Sequence, residues 1–296
     1  MITSSNENDI TYRVVSSDGL GNQLFQLAYA HHLGSLTGKT VGIIGEASAF
    51  HVSRPFQLDS ILKNCKKVSL ISGPQATRLR IVADRVKIAS RKNLWLGRVY
   101  SLFYKVILET KEYGSKNSLK PGIHVGYFQN QIFTSNSDCL FDDIRTGLGL
   151  TDELTDRLAI HIRGGDFRNL KSMFGLLDSS YYSRALESIL ATGAILNEMH
   201  VVTDDVELAL EVTKPLKLKI KIYGPEELGT LESFRFLASS KFLIVGNSTF
   251  AWWAARLAIE SGGLAWKPNP WFLNYKDTNG SFDFPNMTNI LSTFSD

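Results

Sequence analysis

Cysteine is nearly absent. The 296 residues hold only Cys65 and Cys139, and neither sits in a motif. That excludes a disulfide framework and makes a reducing cytoplasm the default expectation. Uninterrupted apolar runs are missing as well. The longest, F-L-I-V-G-N-S-T-F-A-W-W-A-A-R-L-A-I from Phe242, is broken by Gly246, Asn247, Ser248, Thr249 and Arg256. It reads as a strand, a turn and a core helix rather than a membrane span. The opening M-I-T-S-S-N-E-N-D-I has no basic segment followed by an apolar one, so no secretory signal is expected. There is no His/Cys cluster for zinc, no G-x-S-x-G nucleophile elbow, no internal repeat and no low-complexity tract. A formal charge of +3 is too small to require nucleic acid. With 44% hydrophobic and 21% charged residues, the chain has the composition of a folded globular protein rather than a disordered one.

The charge that is present is uneven. Arg78 to Lys105 contains eight Lys/Arg and one acid, Asp84, interleaved with Leu79, Val82, Val86 and Ala89 at helical spacing. This reads first as a solvated helix face. Second, it reads as a surface for anionic lipid head groups or an anionic acceptor, a peripheral contact with an anionic membrane.

Strand-like and helix-like segments alternate along most of the chain. Tyr12–Ser16 reads as a strand and 21–36 as a helix that Gly38 ends. A strand is expected at 41–45, mostly helix over 55–120, and an extended piece from Gly122 to Phe128. From Leu158 the alternation is regular: strands at 158–163, 199–203, 219–223 and 241–245, helices near 181–190, 205, 230–240 and 248, and a closing strand G-L-A-W. Repeated β-α units call for parallel sheets covered by helices. The expected fold class is α/β, two Rossmann-like domains facing a cleft, with an N-terminal domain over 1–150 and a C-terminal domain over 151–296.

Ligands of such sheets bind beyond the carboxyl ends of the strands, and three unusual peptides fall there. The first is S-S-D-G-L-G-N-Q-L-F-Q at 16–26. Gly19 and Gly21 permit close backbone approach, the following helix start offers N–H groups to an anion, and Asn22 and Gln23 place amides at the mouth. It lacks the third glycine of a dinucleotide fingerprint and the Lys-Ser/Thr of a phosphate loop, and a tight turn with Asn22 as N-cap also fits. The second is H-I-R-G-G-D-F at 161–167. Arg163 suits phosphate oxygens, Gly164 and Gly165 let amides approach the same anion, and Asp166 suits orienting the arginine or taking a proton. His161 points away from the Ile160/Ile162 face and on its own reads as a buried histidine. The third is V-G-N-S-T-F-A-W-W at 245–253. Asn247, Ser248 and Thr249 make a helix cap or, with the helix N–H groups, a phosphate cradle, while Trp252 and Trp253 read as core. The acidic pair Asp204-Asp205 follows a strand and is read as a helix start or a ribose/base contact in preference to magnesium. Asp142-Asp143 is a poorer metal candidate.

Together, in this order, the peptides resemble the α-1,2-fucosyltransferase family, glycosyltransferase family eleven. D-G-L-G-N-Q-L-F-Q-L-A is similar to the family's G-G-L-G-N-Q-x-F-Q-Y-A. Gly126 to Gln129 match G-Y-F-Q, H-I-R-G-G-D-F matches H-x-R-R-G-D-Y, and Tyr181 to Ala185 match Y-Y-x-x-A. Thr203 to Asp205 match S/T-D-D, and N-S-T-F-A-W-W-A-A matches N-S-T-F-S-W-W-A-A. A piece like P-x-x-W-F follows at Pro268–Phe272. The likeness spans roughly 12–272, with two departures: Gly164 stands where the family has a second arginine, and Asp18 where members usually have glycine.

The resemblance implies a GT-B-like enzyme that moves L-fucose from GDP-fucose to the 2-hydroxyl of a terminal β-galactoside, with inversion and no cofactor or metal. The catalytic candidates are Arg163, Asp166, Asn22 and His161, with the general base unassigned among Asp166, His161 and Asp18. The expected donor site is built from Arg163, Gly164, Gly165, Asp204, Asp205, Asn247, Ser248, Thr249, Phe250 and Gly21. The expected partners are GDP-fucose and a galactose-terminated oligosaccharide, with no nucleic acid. The alternatives are another GDP-sugar or linkage, and a decayed site that only binds glycan or nucleotide sugar.

Overall fold

The computed structural model of the protein describes residues 10–45, 54–109, 119–134, 138–274, 282 and 286–295. The chain forms two compact units, Met1–Gly147 and Leu148–Asp296, and each is built on its own parallel sheet.

The first unit runs β1 (Tyr12–Val15), α1 (Leu20–Thr37), β2 (Val41–Ile44), α2 (Asp59–Leu62), β3 (Val68–Ile71), α3 (Gly73–Lys92), α4 (Leu94–Tyr104), β4 (Val106–Leu108), β5 (Gly122–Val125) and α5 (Asp138–Leu148). Its strands order β3-β2-β1-β5-β4, all parallel. All four residues of the V-G-I-I strand are buried, as a strand covered on both faces requires. Helix α1 ends where Gly38 takes φ 66° and returns its N–H to the Gly34 carbonyl at 3.0 Å. The expectation of a mostly helical 55–120 needs correction, because β3 and β4 lie in it. V-S-L-I and V-I-L are too short to display a period, and strand pairing with β2 and β5 decides their state.

The second unit runs β6 (Thr155–Ile162), a 3-10 turn (Gly165–Leu170), α6 (Lys171–Phe174), α7 (Ser179–Leu190), β7 (Glu198–Thr203), α8 (Val206–Thr213), β8 (Lys219–Tyr223), α9 (Thr230–Ala238), β9 (Ser240–Ile244), α10 (Thr249–Glu260), β10 (Leu264–Asn269) and β11 (Met287–Leu291). The order is β11-β10-β9-β6-β7-β8, again parallel throughout. Leu158, Ile160 and Ile162 are fully buried on β6, each contributing roughly 1.5–3 kcal/mol of apolar burial. Trp252 and Trp253 are fully buried too, as the sequence suggests. Strand β11 was not expected. Its M-T-N-I-L buries only Met287 and Ile290, so an edge strand of this kind leaves no clean alternation to read.

Each sheet reverses its direction of growth once, between β1 and β5 in the first unit and between β6 and β9 in the second. These are the topological switch points, where neighbouring loops diverge and leave room for a ligand.

Candidate active site

At the first switch point the peptides after β1 and β5 meet through amide side chains. Gln26 is fully buried at the back of α1. Its oxygen accepts from Ser17 N at 2.8 Å, and its nitrogen donates to Ser17 Oγ at 3.2 Å and to the Gly126 carbonyl at 2.9 Å. Gln23 donates to the carbonyls of Asp18 at 2.8 Å and Pro55 at 2.9 Å and accepts from Gln57 N at 2.9 Å. Both glutamines are therefore clamps with their hydrogen bonds made internally, and Gln23 is not at the mouth as its position in the motif suggests. Half-buried Asn22 takes that place, its Oδ1 accepting from Gln129 Nε2 at 2.9 Å. Asn22 is not the helix cap either, because α1 starts at Leu20 with Gly19 as N-cap, and Gly21 lies buried in the first turn.

Two residues here take a left-handed backbone, Asp18 at φ 66° and Phe128 at φ 52°. That conformation is costly for a bulky side chain, on the order of 1–3 kcal/mol. Glu109, just past β4, holds the second bend by accepting from Tyr127 N at 2.7 Å and Phe128 N at 3.0 Å, and Tyr29 stacks on Phe128 with ring centroids 3.8 Å apart. The left-handed turn explains why glycine suits position 18. The aspartate there engages the Tyr127 side chain, and burial, followed by the Asp18 charge, raises the Tyr127 pKa. Lys87 lies 5.6 Å over the same ring.

The second switch point is built from ions. Strand β6 delivers Arg163, whose guanidinium meets Asp166 at 2.5 Å and Asp204 at 2.5 Å and lies 5.4 Å over the Phe167 ring. The Gly164 N–H donates to Asp204 Oδ1 at 2.8 Å. The two glycines admit carboxylates: a Cβ on Gly164 would lie 2.7 Å from Asp205 Cγ, and one on Gly165, at φ 26°, would lie 2.5 Å from Asp204 Oδ2. Asp205 caps α8 by accepting from Leu208 N at 3.0 Å, so the helix-start reading of this residue holds. Its carboxylate also pairs with the Arg168 guanidinium through both oxygens, the Nη2–Oδ1 contact being 2.8 Å. That pairing lowers the Asp205 pKa and raises that of Arg168. Arg168 also has Glu207 at 4.0 Å.

His161 is buried beneath this cluster against Phe250, with ring centroids 5.8 Å apart. A Cβ on Gly246 would come within 2.9 Å of His161 Nδ1, an atom with no hydrogen-bond partner among the described residues. Burial, with Arg163 adding to it, pushes the His161 pKa down to about 3, so the ring is neutral and a weak base. The Asn247 amide is engaged internally, donating to the carbonyls of Phe174 at 3.1 Å and Gly175 at 3.2 Å. Ser248 is the N-cap of α10 and makes no side-chain capping bond, and half-buried Thr249 and Phe250 stand in the helix's first turn. Among the described residues no group of three or more His, Cys, Asp or Glu side chains could hold a metal ion.

Arg168 is the functional candidate that sequence reasoning missed. It lies five residues past Arg163, and only its pairing with a carboxylate 37 positions away marks it. Gln26, Glu109 and Gln129 were missed for the same reason. Their partners are distant in sequence, although the place of Gln26 and Gln129 in the quoted motifs was a usable signal.

A model of the family described as Glycosyl transferase family 11 matches residues 11–270. Over 293 residues the chain is 27% identical to an Escherichia coli protein named alpha-1,2-colitosyltransferase, covering 90% of this chain and 93% of the relative. It is 24% identical over 296 residues to the E. coli O-antigen biosynthesis glycosyltransferase WbnK, covering 86% and 93%. Among solved structures, E. coli heptosyltransferase WaaC with ADP matches with a TM-score of 0.50 at 12% identity, covering 94% of this chain and 92% of that one. At that identity the likeness concerns the fold, two Rossmann-like α/β domains of the GT-B type.

Proposed function

We propose, from the premise that this chain belongs to glycosyl transferase family 11, that it transfers L-fucose from GDP-fucose to the 2-hydroxyl of a terminal β-galactoside, with inversion and without a metal ion. The observation that carries this reading is Arg163, fixed by Asp166 and Asp204 at the switch point of the second sheet. In the reaction the acceptor oxygen forms a bond to the anomeric carbon, the bond to the diphosphate breaks, and the acceptor proton leaves. Negative charge collects on the departing GDP. A guanidinium already oriented by two carboxylates meets that charge without reorganising, which is where electrostatic stabilisation is most effective. The α10 helix start at Ser248 and Thr249 adds N–H groups of the same sense.

In this reading Arg168 supplies the second cation. At position 164 a side chain would run into Asp205, and that carboxylate instead receives the guanidinium of Arg168. The charge that the family motif carries on its second arginine is thus delivered from four residues further on. The first switch point, with Asn22 and Gln129, takes the acceptor, because neutral amides suit sugar hydroxyls.

A second reading keeps the chemistry and changes the donor. The relative named for α-1,2-colitosyl transfer covers 90% of the chain, and colitose differs from fucose by one hydroxyl. The test is transfer from GDP-fucose to lactose in EDTA, with the linkage read by NMR. The expected product is α-1,2-fucosylated galactose. Product from GDP-colitose alone would select the second reading. No product and no GDP binding would overturn both.

A further inference from the structure

Helix α4 is built inside out. Its one buried residue is Gly97, and half-buried Ser101 lies one turn on. Gly97 is needed there, because a Cβ would stand 2.7 Å from Ser90 Cβ on α3. At 100° per residue, Trp95, Leu96, Val99, Leu102 and Phe103 fall on the arc opposite Gly97 and Ser101. That arc faces away from the protein: Trp95 is 69%, Leu102 81% and Phe103 79% exposed, and Leu94 at the helix start is 77% exposed. A helix of a soluble domain turns its large apolar side chains inward; here small residues make the packing seam and the large ones are left out. The helix is deliberately ended at both sides. The Asn93 side chain caps its N-terminus, accepting from Trp95 N at 2.9 Å and Leu96 N at 3.2 Å, and Lys105 closes it in the left-handed conformation.

Along α3 and α4 the exposed charge has one sign. The acid of the region, Asp84, is buried in a pair with Arg80 at 3.2 Å, and Arg80 also donates to the Ser16 carbonyl at 2.6 Å. That leaves Arg78, Arg85, Arg91, Lys92, Arg98 and Lys105 exposed on α3 and α4, with no exposed acid between residues 78 and 105. A second copy of the chain docking face to face would set these cations against their own kind, since a two-fold contact pairs like patches. A bilayer with anionic head groups complements both features. The apolar arc enters the acyl boundary and the cations lie at the phosphates, with Trp and Tyr at the depth they favour.

We propose that α4 is an interfacial anchor that lies in the surface of an anionic membrane, with α3 as its basic flank. At 11 residues, or ~16 Å, it lies in one leaflet. No described helix is long and apolar enough to cross a membrane. The proposal stands apart from the donor and the linkage, and its test reads binding only.

Of the five tryptophans, Trp252, Trp253, Trp266 and Trp271 are buried, so Trp95 is a built-in reporter once the signal of a Trp95→Phe variant is subtracted. The full chain is mixed with phosphatidylglycerol vesicles or phosphatidylcholine vesicles. The expected result is co-sedimentation with phosphatidylglycerol and a blue shift of Trp95 emission, both much weaker with phosphatidylcholine. The variant Leu94→Gln/Leu102→Gln/Phe103→Gln, which keeps every charge, loses at least about tenfold in partitioning with unchanged circular dichroism. Absence of binding and of the blue shift in the wild type overturns the proposal, and so does undiminished binding by the triple variant. A wild-type dimer that the triple variant converts to monomer also overturns it, since a second copy then covers the face.

Discussion

The two switch points have the same topology and opposite chemistry. Beyond β1 and β5 the chain sets the neutral amides Asn22 and Gln129, with Gln23 and Gln26 as internally bonded clamps, around a backbone bent left-handed at Asp18 and Phe128. Beyond β6, at the switch point, and its neighbour β7 it sets two guanidiniums against three carboxylates, Arg163 and Arg168 with Asp166, Asp204 and Asp205. A parallel sheet supplies a place where loops diverge, and the side chains alone decide what that place recognises. Amides offer donors and acceptors matched to hydroxyl groups. Arginines held by carboxylates offer oriented N–H donors matched to diphosphate oxygens. This contrast is the physical basis for our proposal that the first unit takes the acceptor and the second the donor.

The contrast breaks most readily at Arg163. Arg163→Ala is expected to lower transfer kcat/KM at least about a hundredfold, since one preorganised donor at a developing charge contributes roughly 3–4 kcal/mol. Activity within a few-fold of wild type would remove the arginine from the reaction. Next is Arg168→Ala, expected to raise the donor KM about tenfold, the size of a lost charge-assisted contact. Arg168→Lys, which keeps a cation beside Asp205, should recover part of that loss. If it is no better than Arg168→Ala, the charge at position 168 is not a stand-in.

Asn22→Ala sharpens the other half. We expect about a fivefold fall in kcat/KM for the acceptor, the scale of one neutral hydrogen bond, with the donor KM unchanged. A shift in the donor KM instead would erase the division between the units.

The smallest effect at neutral pH is on stability. Burial pushes His31 and His124 in the first unit down to about 4, and His161 in the second to about 3. In His124, Nε2 donates to the Lys120 carbonyl at 3.1 Å, and Nδ1 lies 2.8 Å from Tyr29 Oη, which donates to it when the ring is neutral. A histidine whose folded pKa is lowered stabilises the fold above about pH 6.5, and that stability is lost as pH falls toward the folded value. Each such group contributes a slope of at most about 1.4 kcal/mol per pH unit. Hydrogen exchange between pH 6.5 and 4 should therefore show protection falling more steeply in the first unit, with His31, His32 and His124 lowered, than in the second, with His161 and His200 lowered. Equal slopes would mean that the units unfold together or that the rings titrate normally.

Much of this was legible in the chain. Alternating apolar residues gave away β6, because Leu158, Ile160 and Ile162 repeat with the period of a strand. Gly38 marked the end of α1 because a left-handed turn has few other occupants. The motifs at 16–26, 161–167 and 245–253 stood out because turns that bring backbone close to a ligand restrict residue choice. Strands β3, β4 and β11 escaped, being short segments whose pairing partners, rather than their own pattern, hold them extended.

What the sequence determined by itself was the alternation, the two parallel sheets and the placing of three peptides at strand ends, since these rest on local periodicity and turn chemistry. Tertiary structure alone decided that Gln23 and Gln26 are clamps while Asn22 stays at the mouth, and that Arg168 meets Asp205 beside the side-chain-free Gly164. It alone turned the apolar arc of α4 outward. Each of these depends on which groups, tens of residues apart, are brought within a few ångströms, and on which face of a helix finds a neighbour. Neither is a property of any local window of residues.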